Sequence, residues 1–365
     1  MAVLGVSVYP DLRPLSEIED YLARAARHGY TRVFSSMFSV GGSNVEVLAL
    51  FARLNAAAHA QGMEVSLDIN PECMGRLGAR PDELRVFAEI DTDILRMDGA
   101  YGVEENLQML KNPYGLRIEY NASALESVQI DALLQGGVDK DRILACHNFY
   151  PQRYTGFRWD KFRQVTESLR ERGLRVGAFV ASHASATHGV WDAVEGLPTV
   201  EFMRDYPAEL QARLLVAAGA TEVFFGNAYA SDEELASVAE ALTGDTTRVR
   251  VELDPGVLPI EREILLQFSP HMDMGDSSEW MWRSRLPRVK YADQSIRPRQ
   301  SDGAWFQPGD VLMVNDNYKH YAGEVQVVLR PMANDGMRNL IGHIAEQEFG
   351  LFDLIDDFGE VVFLA

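Results

Sequence analysis

Residues 32–69 read RVFSSMFSVGGSNVEVLALFARLNAAAHAQGMEVSLDI. A short apolar run, Arg32–Ser36, is followed by a long segment, Asn44–Ala60, with apolar residues at helical spacing, then a stop at Gly62 and a second apolar run, Glu64–Ile69. Strands rich in Val, Ile, Leu and Phe, without polar alternation, are what a sheet buried on both faces requires. A strand–helix–strand unit of this kind builds a parallel sheet.

Working outward, the unit recurs. Further strand candidates are Ala2–Val8, Ile94–Asp98, Leu116–Asn121, Ile143–His147, Arg175–Ala181 and Glu222–Phe225. The first helix is predicted to start on a capping box, Ser16 with Glu19, to carry Ile18, Tyr21, Leu22, Ala25 and Ala26 inward, and to end at Gly29. Eight strand–helix units between residues 1 and 243 predict a (β/α)8 barrel, the TIM-barrel member of the α/β class. A doubly wound sheet is the alternative, but no glycine-rich phosphate fingerprint opens the first helix. After Thr243 the rhythm changes. Thr247–Leu253, Asp310–Asn315, Gly323–Leu329 and Glu360–Leu364 read as strands and Arg338–Glu348 as a helix, so residues 244–365 are expected to form a smaller, mostly β domain.

Composition narrows the function. The chain has 365 residues with 34 Lys and Arg against 54 Asp and Glu, a formal charge of −20. So acidic a chain is not expected to bind nucleic acid, which needs a basic face, or an anionic membrane. Cys73 and Cys146 are too few for a disulfide framework, and the start of the chain has no basic, apolar leader pattern, which together point to the cytoplasm.

Barrel enzymes work at the C-terminal ends of their strands. The polar residues expected there are Ser7 and Tyr9, Asp68 and Asn70, Arg96 and Asp98, Glu119 and Asn121, His147 and Asn148 with Arg153 just beyond, His183, and Asn227. With the two-residue period of a strand, Asp68 and Asn70 share a face, as do Arg96 and Asp98, and Arg117, Glu119 and Asn121. Three carboxylates on adjacent strands can supply the pair that glycoside hydrolysis uses, one protonating the leaving oxygen and one acting as nucleophile or activating water. Each alone is equally explained as a helix cap or ion-pair partner. His147 and His183 with Asp98 or Glu119 could instead hold a metal, although their spacing matches no metal motif. Cys146, inside an apolar strand, reads as a small core residue.

In the second domain, residues 279–299 carry Arg283, Arg285, Arg288, Lys290, Arg297 and Arg299 against Glu279 and Asp293. This is either a solvated basic face or an anion clamp built from guanidinium forks. Tyr318 and Tyr321 could flank a sugar or belong to the core.

Several stretches together resemble one family: Leu4–Pro10 (LGVSVYP), Asn112–Leu116 (NPYGL), His147–Pro151 (HNFYP) followed by Arg153 and Thr155-Gly156, Gly226–Ser231 (GNAYAS), Arg288–Tyr291 (RVKY), Gly309–Val311 (GDV) and Tyr321–Glu324 (YAGE). The chain is similar over its whole length to the bacterial 6-phospho-N-acetylmuramidases, a group once labelled outer surface proteins. The resemblance implies a (β/α)8 barrel followed by a cyclophilin-like β domain. It also implies an intracellular glycosidase that splits N-acetylmuramic acid 6-phosphate–N-acetylglucosamine in peptidoglycan recycling. No cofactor or metal is implied, and the partner is a small anionic phospho-sugar, with a homo-oligomer open.

The resemblance does not assign the catalytic pair, so strand position does. Asp98 and Glu119 are expected side by side, Arg96 holding Asp98 ionised and Glu119 serving as general acid, with Asp68 in reserve. The 6-phosphate is expected near His147, Asn148, Arg153 and His183, capped by Arg283 or Arg285. The competing readings are a metal-dependent sugar-phosphate isomerase or aldolase on the same barrel, and a non-catalytic sugar-phosphate sensor.

Overall fold

A computed structural model describes residues 2–365 except 39, 100, 125–126, 245, 300–302 and 356–358. The chain divides into two compact units, Met1–Thr243 and Gly244–Ala365.

In the first unit, β1 (Val3–Ser7), β2 (Arg32–Ser36), β3 (Glu64–Ile69), β4 (Ile94–Met97), β5 (Arg117–Asn121), β6 (Ile143–Cys146), β7 (Arg175–Val180) and β8 (Glu222–Phe225) form a closed barrel in sequence order. Every neighbouring pair is parallel, and β8 returns to β1 in the register Leu4↔Val223. The predicted barrel is therefore present, with strand ends within a residue of those read from the sequence.

The helix start is not. The first helix runs Leu15–Arg27 with Pro14 as its N-cap and no side-chain cap, so Ser16 and Glu19 make no box. Proline with its preset φ, here −64°, initiates the helix instead, and Ser16 lies within the first turn. The reciprocal box occurs one helix later, where Ser43 caps Asn44–Ala60 and its backbone N–H donates to Glu46 Oε2 at 2.9 Å.

The barrel interior is divided by chemistry. Tyr9, Phe34, Cys146, Phe179 and Phe224 pack into one apolar cluster. Glycines make room for it: a Cβ on Gly5 would stand 2.2 Å from the Phe224 ring. The rest of the lumen holds Arg32, Asp68, Arg96, Glu119 and Glu222, each almost fully buried.

The second unit contains a seven-stranded sheet in the order β10 (His271–Met272), β17 (Glu360–Leu364), β9 (Thr247–Leu253), β16 (Arg338–Ile344), β13 (Asp310–Val314), β14 (Val325–Val328), β11 (Met281–Ser284), and a separate pair, β12 (Trp305–Phe306) with β15 (Met332–Ala333). The predicted helix Arg338–Glu348 is corrected to this central strand, with only Glu346–Phe349 helical. Leu340, Ile341 and Ile344 have the i, i+1, i+4 spacing of a helix, because a bulge at Ile341 interrupts the two-residue alternation, Val311 pairing with Gly342 and Leu312 with Leu340. Pairing decides: β16 lies between β9 and β13, and at Gly342 a Cβ would sit 2.5 Å from the Glu252 carbonyl oxygen of β9. A helix absent from the reading, Pro259–Gln267, is present. Among the described residues, no helix is long and apolar enough to cross a membrane.

Candidate active site

Asp68, near the end of β3, is directly opposite Arg96 on β4, which in turn is opposite Glu119 on β5. Arg96 Nη1 donates to Asp68 Oδ1 at 2.5 Å, and its Nη2 donates to Asn148 Oδ1. Asp68 is 4% exposed. Burial pushes its carboxyl up to about 7, outweighing the pull of Arg96, with Asp98 adding to the rise. Beside it on β2, in register, Ser36 is buried with no hydrogen-bond partner for its hydroxyl.

Asp98 follows β4 and is half-buried. Its Oδ1 accepts from Asn121 Nδ2 at 3.2 Å, while Asn121 Oδ1 is taken by the Ser123 N–H. Both side chains open on a recess of about 230 Å³, with Tyr101, Asn106, Tyr120 and Gln129 among its walls. The Tyr120 hydroxyl is buried and has no partner.

Glu119 belongs to a different level of the barrel. Its Oε1 accepts from Arg32 Nη2 at 3.1 Å and its Oε2 from Ser66 Oγ at 3.2 Å, while Arg32 Nη1 donates to Glu222 Oε2 at 2.5 Å. Arg32 and Glu222 open β2 and β8, so this cluster lies toward the N-terminal end of the barrel. The expected Asp98–Glu119 pair is thus not assembled: Glu119 turns away, down the lumen, and is 1% exposed. Nor does Arg96 bond Asp98, because two of its nitrogens are taken by Asp68 and Asn148. The side chains brought together are Asp68, Arg96 and Asn148, with Asp98 and Asn121 as the adjoining pair.

The remaining predicted residues divide between site and scaffold. Ser7 is fully buried. The Tyr9 hydroxyl donates to the Gly226 carbonyl at 2.6 Å, tying β1 to the end of β8. Asn70 caps the helix Pro71–Arg76 through Cys73 N–H. Asn227 and the Ser182 backbone exchange two hydrogen bonds, at 2.8 and 2.9 Å.

His147 points out of the lumen. Its Nδ1 and Nε2 meet Ser123 Oγ and Thr166 Oγ1, and burial drives its pKa down to about 3, with Arg96 adding to the fall. It packs as a buried, neutral ring with both nitrogens facing hydroxyls. Arg153 and His183 do share a cavity, of about 380 Å³. However, Arg153 is bound there by Glu195 at 2.9 Å and Asp205 at 2.7 Å, and the His183 ring meets the Arg204 carbonyl. Arg283 and Arg285 lie in the second unit, paired with Glu324 and Asp276.

Arg32, Glu222, Ser36 and Tyr120 escaped the sequence reading. Arg32 and Glu222 had a usable signal: a charge opening an otherwise apolar strand must point somewhere polar. Ser36 and Tyr120 had none, since an empty hydrogen-bond position is visible only in three dimensions. Among the described residues, no group of three or more His, Cys, Asp or Glu is arranged to hold a metal ion.

Comparison with known proteins follows the same division into two units. A family model described as 6-phospho-N-acetylmuramidase, N-terminal, matches residues 4–240, and its C-terminal counterpart matches residues 247–363. An uncharacterized protein from B. cereus has a crystal structure that superposes with a TM-score of 0.89 at 34% identity, covering 100% of this chain and 99% of that one. A conserved protein of unknown function from Enterococcus faecalis gives a TM-score of 0.69 at 25% identity, covering 100% and 96%. No curated protein matches the chain. The chain belongs to the 6-phospho-N-acetylmuramidase family.

Proposed function

We propose that this member of the 6-phospho-N-acetylmuramidase family is a glycoside hydrolase acting inside the cell on N-acetylmuramic acid 6-phosphate–N-acetylglucosamine, and that Asp68 and Asp98 are its carboxylate pair. The observation that carries the reading is the contrast between these two neighbours. Asp68 is dry, held by Arg96 and titrates near 7. Asp98 is half-buried and faces a recess beside it.

A carboxyl that keeps its proton near neutral pH is suited to general acid catalysis. Asp68 would give its proton to the glycosidic oxygen as the bond to the anomeric carbon breaks. The Asp98 carboxylate would meet the anomeric carbon directly or through a water molecule. Asn121 orients Asp98, and Arg96 and Asn148 orient Asp68. Arg153 bonds Glu195 and Asp205 through three of its five donors, so a phosphate would compete with two carboxylates for this guanidinium, and Arg153 is a selectivity position to be tested.

The test is to incubate the full-length protein with the phosphorylated disaccharide and identify products by mass. N-acetylmuramic acid 6-phosphate and N-acetylglucosamine are expected from the unaltered protein, and neither from Asp68→Asn or Asp98→Asn. Turnover surviving in both folded variants removes the pair. A chain that releases no product from either the phosphorylated or the unphosphorylated disaccharide is not this hydrolase.

A further inference from the structure

One face of the second unit's sheet is unusually polar. Strand register places Arg283 of β11 opposite Gln326 of β14, and Arg338 of β16 opposite Val314 of β13. Glu324, just before β14, completes the group. Its side chain is fully buried and accepts from Arg283 Nε at 2.8 Å, Arg283 Nη2 at 3.0 Å and Gln326 Nε2 at 2.8 Å. Gln326 Oε1 in turn accepts from Arg338 Nε at 2.7 Å. The result is a connected floor of planar polar groups: Arg338, Gln326, Glu324, Arg283. Above it lies a cavity of about 270 Å³, walled by Tyr318 and Tyr321, whose ring centroids are 4.8 Å apart.

A buried network of this kind is not a cheap way to stabilise a sheet. An apolar face of equal volume is often as stable or more so. The network has one open side, and donors remain on it. Arg283 Nη1 has only long contacts to Asp276, 3.5 Å to its carbonyl and 3.6 Å to its carboxylate. Arg338 commits Nε and Nη1, the latter to Asp335, which leaves Nη2 over. Arg285 and Arg288 add positive charge, Arg288 at 3.5 Å from Glu324 and over the Tyr321 ring. Within the lining, Arg283 and Arg338 balance Asp276 and Glu324, and Arg285 and Arg288 pair with the same two carboxylates from beside it, in a chain of net charge −20. Tyr318 is half-exposed and offers its ring to a ligand.

We propose that this recess is a second ligand site, specific for a single pyranose carrying an anionic substituent. The tyrosines would pack against the C–H face of the ring, and the free nitrogens of Arg283 and Arg338 would receive the anion. A preorganised floor loses little entropy on binding, and a cavity of this size admits one ring rather than a chain. Its lining contains neither Asp68 nor Asp98, so binding there would proceed without turnover.

The test is calorimetric titration of the full-length protein with N-acetylmuramic acid (a carboxylate), N-acetylglucosamine 6-phosphate (a phosphate) and N-acetylglucosamine (neither). Binding of an anionic sugar with a Kd of about 1 mM or tighter is expected, about tenfold stronger than that of the neutral sugar. Tyr318→Ala and Arg338→Gln should each weaken it about tenfold, the scale of a lost charge-assisted bond. Asp68→Asn should leave it in place. Which anionic sugar binds more tightly identifies the substituent. Equal affinity for all three sugars, no binding by any, or anionic binding unchanged in Tyr318→Ala overturns the proposal. Tyr318 is exposed enough for that variant to fold, so it decides the matter if Arg338→Gln does not. Hydrolysis is read separately from the product masses, so failure of either reading leaves the other standing.

Discussion

The barrel holds two arginine–carboxylate clusters, one toward each end, and they differ in what they leave open. In the lower one Arg32 bonds both Glu119 and Glu222, Ser66 bonds the other oxygen of Glu119, and Arg175 lies 3.4 Å from Glu222 Oε1. In the upper one Arg96 holds Asp68, while Ser36 keeps a hydroxyl without a partner and Asp98 stays half-buried at the rim. The residue types are the same. Both leave buried polar atoms without a hydrogen-bond partner, Arg32 Nε and Glu222 Oε1 in the first and Ser36 Oγ and Arg96 Nε in the second, so what separates them is access: Asp98 lines a recess, whereas Glu119 and Glu222 are almost fully buried. A buried acid with an arginine beside it is thus no sign of catalysis unless a neighbouring group opens on a cavity.

This contrast can be broken. Asp68→Asn is expected to lower kcat by about 10²–10⁴-fold, the range for a lost general acid, in protein that remains folded. Arg32→Met is expected to do the reverse. It strands two buried carboxylates and should cost about 3–5 kcal/mol in denaturant unfolding. Glu119→Gln sharpens the point. It should cost about 1–3 kcal/mol as one charged hydrogen-bond partner is lost, yet leave turnover per folded molecule nearly intact. Loss of turnover in folded Glu119→Gln would return that residue to the catalytic pair.

The pH dependence separates the clusters more finely. Burial raises the folded pKa of Asp68 from 3.8 to about 7, so the folded state holds this proton more tightly than the unfolded one. Below the unfolded value the group is neutral in both states and costs nothing. Between about pH 4 and 7 stability falls as pH rises, because the unfolded chain gives up this proton while the folded one keeps it, and above about 7 the decline levels off with the group ionised in both states. Asp68→Asn should flatten that decline in thermal melts across the same window. In the unaltered protein the acid-requiring step should slow as pH rises through about 7, where the folded carboxyl loses its proton. The smallest expected effect concerns Arg153. Its exposed pairs with Glu195 and Asp205 should contribute little to stability. Arg153→Gln should therefore leave the melting midpoint unmoved and be read only in the ratio of phosphorylated to unphosphorylated substrate turnover, with an unchanged ratio excluding it from phosphate recognition.

The fold was legible because burial on both faces writes itself as apolar runs, and each of the eight barrel strands carries one. The site was legible only as a neighbourhood. Asp68, Arg96, Asp98 and Asn121 occupy strand ends that periodicity places correctly. Periodicity cannot say how a long side chain tilts. Glu119 shares a face with Asn121, but bends toward Arg32 because that guanidinium is the stronger buried partner. His147 shows the opposite limit: at the end of β6 the face alternates, so Cys146 packs within the lumen and the next residue points outward into an aromatic setting with Phe157 and Phe162. In the second unit, Arg338–Glu348 failed because a bulge at Ile341 breaks the strand alternation and leaves three apolar residues at helical spacing, and only the neighbouring strands reveal the pairing.

The lower cluster also bears on how the barrel is made. Arg32 lies on β2 and its carboxylates on β5 and β8, three strands away in one direction and two in the other around the closed sheet. Glu119 is 87 residues and Glu222 190 residues from it along the chain. On a growing polypeptide, the guanidinium emerges long before either counter-charge, and the second arrives only with the last strand. A fragment ending at β4 would have to bury a lone cation or stay open. The tie therefore penalises premature closure: half-barrels are left with an unmet charge, and sealing the ring is coupled to synthesis of its final member.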